Sequence, residues 1–241
     1  MTSSCPAALS NVCVFVDFDG TIALEDVTDV ILERFAAPQW RDIEADWLAG
    51  TIGSRDCLAR QVDLVRATPQ ALDAIADTAR LDPNFCRFVA FCQAARVAVT
   101  VVSDGFDRVV NRMLSRAGID LPVRANHLQW ISGDRWKLEF PHVRAGCRSA
   151  SGNCKCAAMV ESADRTRVLV GDGRSDFCPA EIADYVLAKR ALSEHCQAMG
   201  LNHASIASFA DATLLLRDWI SKLQRNAEVS NVGGSLHATC P

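Results

Sequence analysis

Two carboxylates two residues apart, Asp17 and Asp19, follow the apolar run Val12–Val16 and lead into a Gly20-Thr21 turn. Alternate residues on extended backbone face the same way, so both carboxylates share one side of the mouth of whatever sheet that run enters. One can attack an electrophile while the other handles protons. A second apolar run, Val97–Val102, stops at Ser103-Asp104-Gly105, and a third, Val168–Val170, opens into Gly171-Asp172-Gly173-Arg174-Ser175-Asp176. Between them stands Lys155, one of only four lysines beside 21 arginines. A lone acidic turn after a strand is common and usually solvated, but four polar elements in this order are hard to obtain by accident.

The elements that must position these residues can be read from periodicity. Continuous apolar, β-branched runs indicate strands buried on both faces of a parallel sheet. Phe106–Ala117 has helical spacing and ends at Gly118, which predicts a crossover helix with a glycine cap. Tyr185–Ala188 follows a helical stretch at Pro179–Ala183, giving the strand–helix alternation of a doubly wound α/β domain. Such a fold binds ligands at the carboxyl ends of its strands. Residues 22–96 lack strand-like runs and carry helical periodicity (Val27, Val30, Ile31, Phe35, then Leu58, Val62, Val65), which predicts a helical insertion. Trp130–Phe140 alternates about Ser132-Gly133-Asp134 and predicts a β-hairpin. Beyond Gln224 the pattern decays, so 226–241 is expected to be a mobile tail. The expected organisation is a core of 1–21 and 97–225, with 22–96 inserted after the first strand.

With these four elements the sequence resembles the haloacid-dehalogenase-like hydrolases, whose cores are parallel α/β sheets. The resemblance implies an Mg²⁺-dependent phosphate-monoester hydrolase with Asp17 as the nucleophile and Asp19 as general acid, then base. It implies that Asp17, Asp172 and the carbonyl of Asp19 hold Mg²⁺, supported by Asp176. It further implies that Ser103, the amides near Gly105 and Lys155 bind phosphate. The insertion resembles the helical cap of the phosphoserine-phosphatase-like branch. Nearer still is a resemblance to the methionine-salvage phosphatases that act on 2-hydroxy-3-keto-5-methylthiopentenyl-1-phosphate. It is carried by Pro38-Gln39-Trp40, Asn126-His127, Pro141-His142, the cysteine-containing loop before Lys155, and Leu201-Asn202-His203. The lysine loop departs from that family, having Ala157 where the family tends to place proline. Asp26 and Trp40 are the candidate substrate contacts in the cap, and Arg174 and Asp104 lie inside motif loops. Phosphoserine or phosphocholine/phosphoethanolamine phosphatases, and a silent phospho-metabolite binder, are the alternatives. A receiver-type signalling domain has the wrong motif order and no place for the cap.

Composition bounds these readings. The 241 residues are 49% hydrophobic and 22% charged, enough to bury a sizeable core without staples. A net charge of −4 with no basic run argues against a nucleic-acid partner. The longest apolar runs fall far short of the roughly 18 residues of a membrane span. Met1–Ser10 has no basic segment followed by an apolar block, and the eleven cysteines are odd in number and dispersed, so free thiols and a cytoplasmic setting are expected. Cys147, Cys154 and Cys156 lack the paired spacing of a zinc site and are read as packing residues. His127, His142 and His203 are read as structural. The expected partner is a small phosphorylated metabolite; the leaving alcohol and the oligomeric state are left open.

Overall fold

The computed structural model describes the backbone of residues 11–233 and the side chains of 11–225. The N-terminal stretch Met1–Ser10 and the last part of the expected tail, 234–241, lie outside the described residues.

Strand β1 (Val12–Val16) is buried at every position. It pairs in parallel with β2 (Ala98–Phe106) on one side and β5 (Thr166–Gly171) on the other, setting Val16 opposite both Val101 and Val170. Side-chain alternation sorts the strand between two cores. Val12, Val14 and Val16 join Val99, Val101, Val168 and Leu187 on one face. Cys13 and Phe15 join Val102, Leu169, Val186 and Leu192 on the other. With β3 (Val123–Ser132), β4 (Arg135–Glu139), β6 (Tyr185–Ala188) and β7 (His203–Ser205), the seven-stranded order is β4-β3-β2-β1-β5-β6-β7. Every pairing is parallel except the β3–β4 hairpin. This is the expected doubly wound α/β fold. Because the chain departs from β1 towards both edges, the end of β1 is the topological switch point, where a crevice opens.

Five helices separate β1 from β2: α1 (Val27–Phe35), α2 (Trp40–Leu48), α3 (Ser54–Val62), α4 (Pro69–Thr78) and α5 (Phe85–Ala94). Their starts follow local chemistry. Asp26 caps α1 by accepting from the Asp29 amide, and Thr68 caps α4 with Pro69 in the first turn. The chain leaves and re-enters the sheet through a paired neck, in which Ala23 bridges Leu81 and the Asp82 amide donates to Ile22 O at 2.8 Å.

After β2 come α6 (Asp107–Arg116), α7 (Lys155–Val160), α8 (Phe177–Ala180), α9 (Arg190–Met199) and α10 (Phe209–Gly233). Helix α5 lies within the stretch expected to be inserted, yet it follows the neck and packs on α10, where Phe85 and Phe88 meet Phe209 at ring distances of 4.8 and 5.1 Å. It belongs to the helical layer on the sheet, a distinction that periodicity alone does not make. Helix α4 is tied to α6 by Arg108–Asp73 at 2.8 Å and Arg112–Asp77 at 2.7 Å. Three other bounds differ from expectation. Strand β2 runs on through Ser103-Asp104-Gly105 to Phe106, α8 is a single turn rather than the helical stretch that Pro179–Ala183 predicts, and α10 continues to Gly233 although the pattern fades from 226.

Candidate active site

Three strand ends converge at the switch point. Asp17 continues the β1–β5 ladder by donating its amide to Val170 O at 2.9 Å, and its side chain is 8% exposed at the crevice floor. Lys155 opens α7, and its buried Nζ lies 2.7 Å from both Asp17 Oδ1 and Asp176 Oδ1 and donates to Ser175 Oγ at 3.0 Å. Asp176 is fully buried; its Oδ2 accepts from the amides of Asp172 at 3.1 Å and Gly173 at 3.3 Å. Asp172 accepts from Thr21 Oγ1 at 3.1 Å and from an Arg190 guanidinium nitrogen at 3.2 Å.

Carboxylate oxygens of Asp17, Asp172 and Asp176 lie within 4.8 Å of one another, and no other group of His, Cys, Asp or Glu among the described residues does so in threes. An all-oxygen donor set suits a hard divalent cation and lacks the thiolates and imidazoles that zinc prefers. Asp176 is already engaged by Lys155 and two amides, so its oxygens serve the cluster mainly by holding their neighbours in place.

Asp19 faces the inserted helices. Its Oδ1 accepts from the Val27 amide at 2.9 Å and its Oδ2 from Thr28 Oγ1 at 3.4 Å, both in the first turn of α1. The turn that permits this needs two glycines. Gly20 sits at φ +69°, and a Cβ there would lie 2.5 Å from Asp172 Oδ2. A Cβ on Gly105 would lie 2.5 Å from Asp19 Oδ2. Ser103 is 1% exposed and its Oγ accepts the Gly105 amide at 2.9 Å, which leaves its hydroxyl hydrogen for another acceptor.

Burial governs the charges. It pushes the Asp17 carboxyl well above the usual carboxylate range, aided by Asp176 and opposed by the Lys155 ammonium. Burial and the Asp26 charge carry Asp19 up to about 8, against the hydrogen bonds from Val27 and Thr28. Asp172 is raised by burial and by Asp176. Burial alone would lower Lys155, but the charges of Asp17, Asp176 and Asp104 outweigh it and hold the ammonium above the ordinary lysine value. The floor therefore carries an ammonium fixed between Asp17 and Asp176 and, in Asp19, a carboxyl whose hold on a proton burial strengthens.

Above the floor is a cavity of about 230 Å³ walled by α1, α2 and α3. Asp17, Asp19, Asp26, Gly105, Asp104, Asp172 and Arg174 all line it. Asp26 serves both as the α1 cap and as part of the wall. Trp40 does not line the cavity: it is 6% exposed within the hydrophobic core. Trp47, two turns further along the same face of α2, is the tryptophan that reaches the opening. Glu44, Ser54, Leu58, Gln61 and Arg190 also line it and were not found from sequence. Glu44 and Trp47 share a helix face at i and i+3 that periodicity marks, but nothing in one sequence says that this face looks onto the sheet's end. Gln61 donates to Glu44 at 2.8 Å, and Arg174 stacks over Trp47 at 5.5 Å while donating to Leu48 O. His127, His142 and His203 lie off this cavity; His127 pairs with Asp107 at 2.7 Å and His203 with Leu201 O at 2.8 Å.

The model of the haloacid dehalogenase-like hydrolase family matches residues 14–181, most of the chain and every one of these strand ends. The chain belongs to that family. A 2-hydroxy-3-keto-5-methylthiopentenyl-1-phosphate phosphatase of Geobacillus kaustophilus is 33% identical over 205 residues, covering 82% of this chain and 92% of that protein. A protein of the same name from Brevibacillus brevis is 28% identical, covering 85% and 94%. Among solved structures, a substrate-bound phosphoserine phosphatase has a TM-score of 0.60 at 20% identity, covering 77% of this chain and 90% of that one, a likeness of fold. The phosphatase class expected from the four motifs agrees with the family match and with the names of these relatives.

Proposed function

We propose that this hydrolase cleaves a small phosphate monoester through an aspartyl-phosphate on Asp17. The observation that carries the reading is the geometry of the crevice floor, where Asp17 Oδ1 lies 2.7 Å from the buried Lys155 ammonium and a second carboxyl, Asp19, whose proton affinity burial raises, lines the same cavity. Asp17 Oδ attacks phosphorus. Asp19 donates its proton to the departing alkoxide and then, as carboxylate, takes one from the water that opens the acyl-phosphate. Coulomb repulsion opposes the approach of a phosphate dianion to Asp17. Lys155, the Ser103 hydroxyl and the Gly105 amide region offset it by binding phosphoryl oxygens. Mg²⁺, when bound, would supply the remaining neutralising charge. Asp17, Asp172 and the Asp19 carbonyl would hold it, with Asp176 fixing the amides of Asp172 and Gly173 behind them.

The proposed substrate is 2-hydroxy-3-keto-5-methylthiopentenyl-1-phosphate, in a cytoplasmic setting. The similarity to the Geobacillus protein over 82% of the chain supports it. The cavity wall also supports it: Trp47, Cys57 and Leu58 offer an apolar surface to a thioether tail, and Ser54, Glu44 and Gln61 offer polar groups to a hydroxyketone. The Asp26 carboxyl at the wall favours a second reading, an amine-bearing ester such as phosphoethanolamine or phosphocholine. The proposed cap is the part of the insertion that walls the cavity, α1 to α3. The deciding experiment is a kcat/KM panel with Mg²⁺ comparing the methylthio enol-phosphate, phosphoserine, phosphoethanolamine, phosphocholine and p-nitrophenyl phosphate. The enol-phosphate is expected to lead. An amine ester leading moves the assignment to the second reading, and no turnover of any ester, p-nitrophenyl phosphate included, overturns the enzymatic reading.

A further inference from the structure

Lys189 is a buried cation with no part in the chemistry above. It directly follows β6, its side chain is 8% exposed, and burial pulls its ammonium below the ordinary lysine value. Its Nζ donates to Thr21 O at 2.9 Å, lies 3.7 Å from Asp82 Oδ2, and stands 5.2 Å from the centre of the Phe209 ring. Its amide donates to Gly171 O at 2.9 Å. Asp82, 4% exposed, is itself fixed: its Oδ1 accepts from the Asn84 amide at 2.9 Å and its Oδ2 from the Phe209 amide at 3.1 Å. One residue thus joins the loop after β1, the end of β5 and the returning limb of the neck.

The loop it holds ends on the acidic cluster. Thr21 is fully buried, and its hydroxyl donates to Asp172 Oδ1 at 3.1 Å. The Thr21 carbonyl on Lys189 and the Thr21 hydroxyl on Asp172 place the two ends of this link within a single residue. Burying an ammonium is costly, and an apolar side chain would pack against Phe209 without that cost. Packing alone therefore does not account for a lysine here, whereas orienting the loop does.

We propose that Lys189 is a positioning residue for the cation site, holding Thr21 so that its hydroxyl sets the Asp172 carboxylate, and anchoring the neck of the insertion to the same loop through Asp82. The proposal rests on reading Asp172 as a ligand of the divalent cation. Groups that orient metal-ligating carboxylates are typically worth 10- to 100-fold in metal affinity.

The test is Mn²⁺ binding to the full chain without substrate, by calorimetry or electron paramagnetic resonance, with thermal melting recorded in parallel. Lys189→Met is expected to weaken Mn²⁺ binding 10- to 100-fold, and Lys189→Arg to recover most of the loss. Thr21→Val, which keeps shape and removes only the hydroxyl link, is expected to weaken binding without abolishing folding, and it decides the matter should Lys189→Met fail to fold. Wild-type Mn²⁺ affinity in Thr21→Val, or in a folded Lys189→Met with only its melting temperature lowered, overturns the proposal and leaves Lys189 a stabiliser of the neck. Asp172→Ala separates the two readings: if it binds Mn²⁺ as wild type does, the ligand assignment has failed rather than the role of Lys189.

Discussion

Asp17 and Asp19 are the same residue type on one short loop, and their surroundings divide them. Asp17 lies against the Lys155 ammonium, whereas Asp19 lies against an amide and a hydroxyl of α1 and beside the charge of Asp26. The division makes the two asparagine variants distinguishable. Asp17→Asn is nearly isosteric and does not attack phosphorus, so turnover should fall on the order of 10⁴-fold or more with melting unchanged. Wild-type turnover would refute Asp17 as nucleophile. Asp19→Asn removes a proton donor worth about 10²- to 10⁴-fold, but chiefly where the leaving alkoxide needs protonation. Single-turnover phosphorylation should therefore lose less with p-nitrophenyl phosphate than with an alkyl ester, and equal losses would contradict the acid role. Both residues were legible from alternation on an extended strand. Their contrasting environments were not, because the groups that create them arrive from residues 26–28 and 155, through the insertion and the return of the chain after β4.

At the scale of elements, the strands buried on both faces were readable because each is an unbroken apolar run. Strand β7, His203–Ser205, was not, being three residues at the sheet edge with one polar end and a histidine at the other. The hairpin was found from its turn, yet β3 begins at Val123, because its first half pairs in parallel with β2 before β4 joins it. The helical stretch after β1 was readable as helical, but which end of α2 reaches the cavity was not: Trp40 and Trp47 lie two turns apart on one face, the first in the core and the second at the opening. The difference has a measurable consequence. Trp40→Ala empties a core position and should cost about 3–5 kcal/mol of stability, read by denaturant unfolding. Trp47→Ala should leave stability within about 1 kcal/mol and shift the ratio of kcat/KM between esters by roughly tenfold, with inhibition by free phosphate unchanged. If Trp47→Ala leaves the ester ranking as it was, α2 does not read the substrate.

For the whole molecule, the site is a concentration of buried acid that folding must accommodate, and this ties stability to pH and to the cation. Asp17, Asp19 and Asp172 all bind protons more tightly folded than the roughly 3.9 of a free aspartate, Asp19 up to about 8. A raised folded pKa contributes stability that is complete below the unfolded value and is lost as pH climbs through the folded one. The metal-free protein should therefore lose stability between about pH 4 and 8. Surface carboxylates with lowered pKa, Asp77, Glu139, Glu161 and Asp211, act in the opposite sense as pH falls below their ordinary values, at the acid edge of this window, and His142, lowered by burial, is a single opposing group within it. Lys155, raised above the lysine range, stays charged throughout. A divalent cation competes with protons for the same oxygens, so its stabilisation must grow with pH. At about 100 times its dissociation constant, Mg²⁺ would contribute about 2.7 kcal/mol, or roughly 5–10 °C for a chain of this size. Thermal melts from pH 5 to 8.5, with EDTA or with Mg²⁺, should show the metal-free melting temperature falling and the Mg²⁺ increment rising from near zero. Ca²⁺ should stabilise without restoring turnover, because its higher coordination number would let it take both oxygens of Asp17, the attacking atom included. An Mg²⁺ increment independent of pH would mean that the raised carboxylates are not the ones the cation meets, and the charge-neutralising role assigned to that cluster would fall with it.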